Sequence, residues 1–343
     1  MEEVEAMRWG QTSRFALGDE RIAANLRRRD QLMRSLREYL HDQGFVEVDT
    51  PILRYYEDPT DNPPFVTLGP GGYPRLHLRT CPEEYTRRCA CLFGKAFEVG
   101  KCFRNERTPS GGDRRIHLPE FTMVEIYEAD LDLDASLDRI EGVVRAVVGG
   151  VQTNGAVTYQ QRELDFTTPF RRVRVLDSLD ESGNDEARAF AAKHRSAEPR
   201  FLEGEDRVVH RLIHEHVKPS LVQPTFLTHF PKSADQYPDR FIGNEVQRAE
   251  LVVSCMEVGE IGALQPDWDV LQRHATAAVR ERHGHTATTH LVDVDYLAEI
   301  KAFDHAVGGG AIGIDRLLML LCDTKDMREV VWYPLVGKFH EGR

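Results

Sequence analysis

The sequence predicts an α+β fold, with strands paired into a sheet and helices packed around it. Three observations predict this. The stretch from Phe97 to Tyr127 reads as two strands joined by a polar loop. Leu26, Met33, Leu36 and Leu40 recur at near-helical spacing between Arg21 and Leu40. A glycine-rich run from Gly308 leads into a helix whose apolar face holds Leu317, Leu318, Leu320 and Leu321.

Composition sets the outer bounds. The chain has 343 residues, 41% hydrophobic and 29% charged, as an ordinary globular protein does. Its net charge of −12 argues against a broad nucleic-acid-binding surface. No run of about 18 apolar residues is present, so no membrane span is expected. The first residues lack the apolar core of a signal peptide. The six cysteines form no CxxC pair, and Cys89 and Cys91 read as buried helix thiols. A reduced, cytoplasmic setting fits this usage.

In chain order, residues 1–20 read as a tail. The helix from Arg21 to Leu40 is stopped by Gly44, and a short strand from Phe45 ends at Pro51. Residues 55–75 are rich in Pro, Gly and Asp and read as loop. A strand comes next over Leu76–Thr80, then a helix over Glu83–Leu92. Residues 128–220 read as a helical insertion, with patterns at Ser136–Val148, Asp185–His194 and Asp206–His216. Leu221–Pro231 returns to a strand, and Ala249–Ala263 reads as a strand pair. Glu250 and Glu257 are an odd number of residues apart, so a turn near Ser254 is needed for both to face one site. His283, His285 and His290 read as solvated loop histidines, since neither a helical pair nor an added cysteine supports a metal site. Residues 336–343 form a second tail.

The stretch from Phe97 to Tyr127 carries the chemistry. Side chains two apart share a strand face, so Arg104 and Glu106 point one way, and Phe121, Met123, Glu125 and Tyr127 share a parity. A cation, an acid, His117, an aromatic and a second acid thus meet on one face. A solvated hairpin would account for the alternating charges alone. The full string, FRNE, a loop and then HLPEFTMVE, resembles motif 2 of class II aminoacyl-tRNA synthetases. The match is closest to the lysyl branch and to its truncated relative, the ligase that lysylates a lysine of elongation factor P. The helix, strand and proline ending at Pro51 resemble motif 1, and LRTCPEEYTRR resembles the LxTSPE segment. Residues 308–334 resemble motif 3, GxGxGxDR, with Ala311 in place of the middle glycine. Together these cover residues 21–335.

The resemblance implies a class II catalytic fold, a mostly antiparallel sheet flanked by helices, working as a homodimer. It implies ATP and Mg2+, and an aminoacyl-adenylate. Arg104 and Arg316 would be the catalytic cations on the phosphates, with Arg104 also touching the amino acid. Glu106, His117, Phe121 and Gly313 would bind ATP. Glu83 would take the α-amino group, and Glu125 and Tyr127 the far amine, with Glu260 and Gly309 beside the amino acid. Glu250 and Glu257 would hold magnesium, Glu260 competing for the second place. Charge on the α-phosphate in an in-line displacement is what fixed guanidinium groups stabilise.

The resemblance also has gaps. Where lysyl enzymes carry Asn, an aromatic and Glu, this chain has Glu260, Gly262 and Leu264. The aromatic and the acid that help hold a lysine side chain are absent, so an amine-bearing substrate is expected but lysine itself is open. Only about two dozen residues precede motif 1, fewer than an anticodon-binding barrel needs. The expected acceptor is therefore an amine other than tRNA, such as a lysine of elongation factor P. Alternatives are a small amine or carrier protein in natural-product synthesis, and a non-catalytic regulator that binds amino acid or tRNA.

Overall fold

A computed structural model describes residues 19–56, 62–69, 75–105, 115–152, 156–196, 206–231, 240–242, 245–263 and 306–334, with isolated positions at 273, 295, 298, 299 and 302. The first helix, α1 (Glu20–Asp42), starts one residue before the predicted Arg21. Its N-cap is Asp19, whose carboxylate accepts from the backbone N–H groups of Arg21 and Ile22 at 2.9 and 3.2 Å. Such a cap is worth about 1 kcal/mol. Gly44, at φ +80, ends the helix in the left-handed conformation that glycine adopts without strain.

Short strands β1 (Val46–Glu47), β2 (Leu53–Arg54), β3 (Val66–Leu68) and β4 (Arg75–Leu78) come after it. Next are α2 (Glu83–Phe93) and the long strands β5 (Lys95–Phe103) and β6 (Glu120–Ala129). Helix α3 (Leu133–Val151) leads to the hairpin β7 (Ala156–Tyr159) and β8 (Arg162–Asp165), and then to β9 (Arg171–Arg174). These strands lie in the stretch read as helical. They are only four residues each, too short for alternation to stand out from the charged background. Helices α4 (Val175–Glu181), α5 (Asp185–Ser196) and α6 (Asp206–Leu212) come next. The chain continues through β10 (Thr225–Pro231), β11 (Phe241–Ile242), β12 (Glu245–Val253), β13 (Met256–Ala263), β14 (Val307–Gly313) and α7 (Ile314–Leu321).

Nine of these strands form one sheet, in the order β1-β5-β6-β14-β13-β12-β10-β9, with β11 on β12. Only the β1–β5 and β9–β10 pairings are parallel among the described strands, so the sheet is mostly antiparallel, as expected. Its two faces differ in chemistry. One presents Phe97, Val124, Ile126, Ala249, Leu251, Ile261 and Ile312 to α1, α3 and α7, and all of these are buried. Leu32, Leu36 and Leu40 complete the α1 side. Burial of each such side chain contributes about 1.5–3 kcal/mol. Helices α4, α5 and α6 form a smaller core with Leu227, Phe230, Val246 and Val252. The other face carries the charged residues, with Gly309 and Gly262 among them.

Candidate active site

Residues paired directly across antiparallel strands share a face. One such row crosses five strands: Glu98, Glu125, Ala311, Glu260 and Glu250. A second row on the same face reads Ala96, Tyr127, Gly309, Gly262 and Arg248. Four carboxylates thus line one side of a sheet whose middle strand, β14, is almost bare of side chains. That bareness leaves room in front of the backbone.

The first acid in the row is structural. Glu98 is ion-paired with Arg79 and accepts from Thr50 Oγ1 at 2.6 Å. It ties the end of the sheet to the loop after β1.

Glu125, Tyr127 and Glu83 form one polar cluster with Arg87. Tyr127 donates its hydroxyl to Glu125 Oε2 at 2.8 Å, and both are buried. Glu83 opens α2, where Arg87 one turn on pairs with it at 2.9 Å. The Arg87 guanidinium also lies over the Tyr127 ring, 4.8 Å from its centre. Burial, then the nearby Glu83 and Glu260 carboxylates, push the Glu125 carboxyl well above the ordinary range. Burial and Glu125 push the Tyr127 hydroxyl up as well. Glu260 is half exposed and is held by Arg248 Nε at 2.7 Å. An incoming ammonium would relieve this crowding of acids.

Gly309 serves Tyr127 by what it lacks. It sits at φ +152, and a Cβ there would lie 2.0 Å from Ile126 O and 2.8 Å from Tyr127 Cδ1. Ala311, whose methyl shares the face with Glu125 and Glu260, packs against the Cys81, Cys102 and Met123 cluster.

Arg104 and Phe121 stand at the other end of β5 and β6. The Arg104 backbone N–H bonds Pro119 O at 3.0 Å, and its guanidinium lies over the Phe121 ring at 5.0 Å. Arg104 Nε is buried with no hydrogen-bond partner among the described residues. A buried donor in that state is stabilised by any acceptor that a ligand brings. Glu106 lies outside the described residues, as do Leu264 and the three histidines His283, His285 and His290.

Arg316 occupies the first turn of α7, which starts at Gly313 without a side-chain cap, so its leading N–H groups remain available to an anion. Arg316 Nη1 donates to Glu257 O at 2.8 Å. A cavity of about 780 Å3 opens here, lined by His117, Arg162, Lys218, Arg316 and Lys325, with Glu257 its one carboxylate among the described residues. That size and charge suit a polyphosphate. The structure thus gathers His117, Glu257 and Arg316 at one cavity, and Glu83, Glu125, Tyr127 and Glu260 in a second cluster. Arg104 does not line the cavity; it is placed with Phe121, two residues along β6 from the Met123–Gly313 pairing.

The turn required near Ser254 is present, with Ser254 at φ 48 and Cys255 at φ 66. The register also slips between Leu251 and Val252, which face Gly259 and Glu257, so Val258 is an extra residue. Turn and bulge together bring Glu250 and Glu257 to one point. An ammonium is there. Lys218 Nζ stands 2.7 Å from Glu250 Oε2 and 3.0 Å from Glu257 Oε2. Burial opposes ionisation of Glu257, but Lys218 and Arg316 hold its carboxyl at about 2. Glu250 moves the other way, pushed up by burial and by Glu257. Glu250 and Glu257 thus meet around a cation of the chain itself, the Lys218 ammonium.

Lys218 and Arg248 carry no motif signal, and Arg87 lies inside the LRTCPEEYTRR string at a position to which the resemblance assigns no role. Pro219 marks a helix end, but nothing in the sequence says where the side chain before it reaches.

Residues 11–337 match the family described as tRNA synthetases class II (D, K and N). The chain is 31% identical over 321 residues to the lysine--tRNA ligase of Clostridium perfringens strain SM101, covering 90% of this chain and 63% of that protein. It is 29% identical over 320 residues to the lysine--tRNA ligase of Syntrophomonas wolfei, covering 90% and 64%. With the lysine--tRNA ligase of Thermotoga maritima it shares 31% identity over 351 residues, 95% of this chain and 66% of that protein. The chain spans less than two thirds of the length of the curated relatives it matches.

Proposed function

Since the chain belongs to the class II tRNA synthetase family of the D, K and N type, we propose that it is an ATP-dependent ligase that activates an amine-bearing, lysine-like amino acid. The substrate carboxylate oxygen attacks the α-phosphorus, the bond to the β-phosphate oxygen breaks, and pyrophosphate leaves. An acceptor amine then attacks the carbonyl carbon, AMP leaves with the bonding pair, and the amine gives up a proton. The acceptor in this reading is not tRNA but an amine, such as a lysine of elongation factor P.

The observation that carries the reading is Glu125. A buried carboxyl, bonded to Tyr127 and crowded by Glu83, stands in the strand row that runs through Glu260 to Glu250, and Glu250 is paired with Lys218, which lines a cationic cavity of nucleotide size. Glu83 takes the α-amino group and Glu125 with Tyr127 the far amine. Arg104, its Nε unpaired among the described residues, and Arg316 meet the phosphates, with His117 on the outer ones and Phe121 and Glu106 at the base. Gly313 keeps the backbone open to the nucleotide. Most of the rate comes from positioning and charge neutralisation. The acidic balance of −12 supports a non-tRNA acceptor.

A second reading, a ligase using a small amine or carrier protein, is favoured by the row Tyr127, Gly309, Gly262 and Arg248, where two glycines leave space beside the pocket. The homodimer belongs to this proposal, supported by exposed Ile52, Leu53, Val66 and Leu68 around the β2-β4-β3 sheet. So do a cytoplasmic setting and the division into a 21–335 catalytic unit with tails. No helix among the described residues is long and apolar enough to cross a membrane.

Amino-acid-dependent ATP–pyrophosphate exchange, screened over the amino acids, β-lysine and N-hydroxylated amines, tests activation. Silence across that panel would leave the non-catalytic regulator standing. Mass increase of elongation factor P, of bulk tRNA or of small amines then identifies the acceptor; aminoacylation of tRNA alone overturns the non-tRNA part.

A further inference from the structure

Lys218 opens a short 3-10 turn, Lys218–Ser220, directly after a π-helical turn, Ile213–Val217. A π-turn adds a residue to the helical cycle and so rotates the next residues about the helix axis. The segment is then pinned to the hairpin that carries the two acids. Ser254 N donates to Val222 O and Cys255 N to Leu221 O, each at 2.8 Å, and Cys255 Sγ donates to Pro219 O at 3.3 Å. The turn joining the acids' strands and the backbone bearing the lysine therefore move as one piece. Lys218 is 14% exposed, so it is not a loose surface side chain.

Two carboxylates that meet at one point cannot both ionise without a counter-charge. A hard dication supplies that charge at about 2.0–2.1 Å from each oxygen. An ammonium supplies it at hydrogen-bond range, as observed here at 2.7 and 3.0 Å. Other cations face the same acids: Arg248 Nη2 lies 3.5 Å from Glu250 Oε1, and Arg316 Nη1 lies 4.0 Å from Glu257 Oε1. A dication entering without displacing Lys218 would meet three positive charges around two negative ones.

We propose that Lys218 is the resident counter-ion of Glu250 and Glu257, standing where family resemblance would put a protein-held magnesium ion. Its ammonium also lines the cationic cavity beside Arg316, so it faces the nucleotide's outer phosphates from the side of the two acids. The identity of that ligand rests on the adenylation reading; the ion pair does not. The carboxylates then act as positioning groups that hold Lys218, and the protein's own demand for a metal at this point disappears.

The test is manganese binding to the full chain without nucleotide, read by the electron-paramagnetic signal of free Mn2+. The parent protein is expected to bind none at this site at sub-millimolar Mn2+, and Glu257→Gln to leave that result unchanged. Lys218→Met, which keeps the stem and removes the charge, is expected to bind one Mn2+ per chain. Its affinity should exceed the parent's by about a hundredfold, because the nearest of the three positive charges is gone while Arg248 and Arg316 stay farther off, and Lys218→Met with Glu257→Gln should lose it. One tightly bound Mn2+ in the parent, abolished by Glu257→Gln, overturns the proposal. So does a folded Lys218→Met protein that binds no Mn2+. If Lys218→Met does not fold, the parent and Glu257→Gln titrations still decide. Failure of the exchange assay with every amino acid would sink the adenylation reading and leave the manganese result intact, so the two are separable.

Discussion

Arg29 and Asp315 form a buried ion pair that joins α1 to the residue before Arg316. Arg29 also donates to Thr122 Oγ1 at 2.8 Å and to Val330 O at 3.0 Å, while Asp315 Oδ2 accepts from Thr122 N at 2.7 Å. Helix α1, strand β6 and helix α7 therefore meet at one charged knot behind the catalytic face. Removing one partner leaves the other buried and unpaired, which costs about 3–5 kcal/mol. Arg29→Met is expected to lower the unfolding free energy, read from urea titration, by that amount. Restoration by Arg29→Met with Asp315→Leu would confirm that the loss came from the stranded carboxylate. A urea midpoint within error of the parent for Arg29→Met alone would refute the knot.

Glu125 links pH to both stability and binding. Its carboxyl is raised in the folded chain above its unfolded value, chiefly by burial. A raised group contributes stability that is present below the unfolded value, about 4.3, and is lost as pH rises through the folded value. Glu125→Gln removes that loss. The variant is expected to melt at or above the parent at alkaline pH, the difference closing as pH falls toward the unfolded value. Affinity for the amine substrate should run the other way. In the parent it strengthens as Glu125 ionises, and in the variant it is weak throughout. Calorimetric titration across pH checks this, and unchanged amine affinity in Glu125→Gln would remove Glu125 from the pocket.

Two glycines of β14 should respond differently to a methyl group. At Gly309 a Cβ would lie 2.0 Å from Ile126 O, in a backbone region L side chains rarely adopt. Gly309→Ala is expected to cost about 1–3 kcal/mol or more. At Gly313 the nearest atom to a Cβ, Val258 O, is 3.4 Å away and φ is −71. Gly313→Ala should fold with near-parental stability and lose nucleotide affinity. Melting curves and ATP binding on both variants separate a structural glycine from one that clears room for ligand.

Arg104→Ala and Arg316→Ala are each expected to reduce exchange by about 10²–10³-fold or more, as loss of a fixed charge on a developing anion does. Arg104→Ala should leave stability nearly unchanged, because Arg104 Nε has no partner among the described residues. Near-normal exchange in Arg104→Ala would take it out of the mechanism.

Much of the catalytic face is legible in the order of residues. Period-2 alternation from Phe97 to Tyr127 sorts Val124 and Ile126 to the core and Glu125 and Tyr127 to the open side, because strand geometry allows no other arrangement. The need for a turn near Ser254 arises from the spacing of Glu250 and Glu257 for the same reason. The helix before Gly44 is marked by its cap and apolar stripe, and the helix after Gly313 by its apolar stripe alone. Lateral relations are different. That Glu98, Glu125, Glu260 and Glu250 form one row, that Arg29 meets Asp315 almost three hundred residues away, and that Lys218 reaches two acids are set by strand register, a bulge and a helical turn of unusual pitch. Such contacts join residues whose neighbours in the chain carry no sign of them. Their energies come from burial and pairing in the assembled sheet, so only the folded packing could decide which carboxylates hold a lysine and which lie against Tyr127 and Arg87.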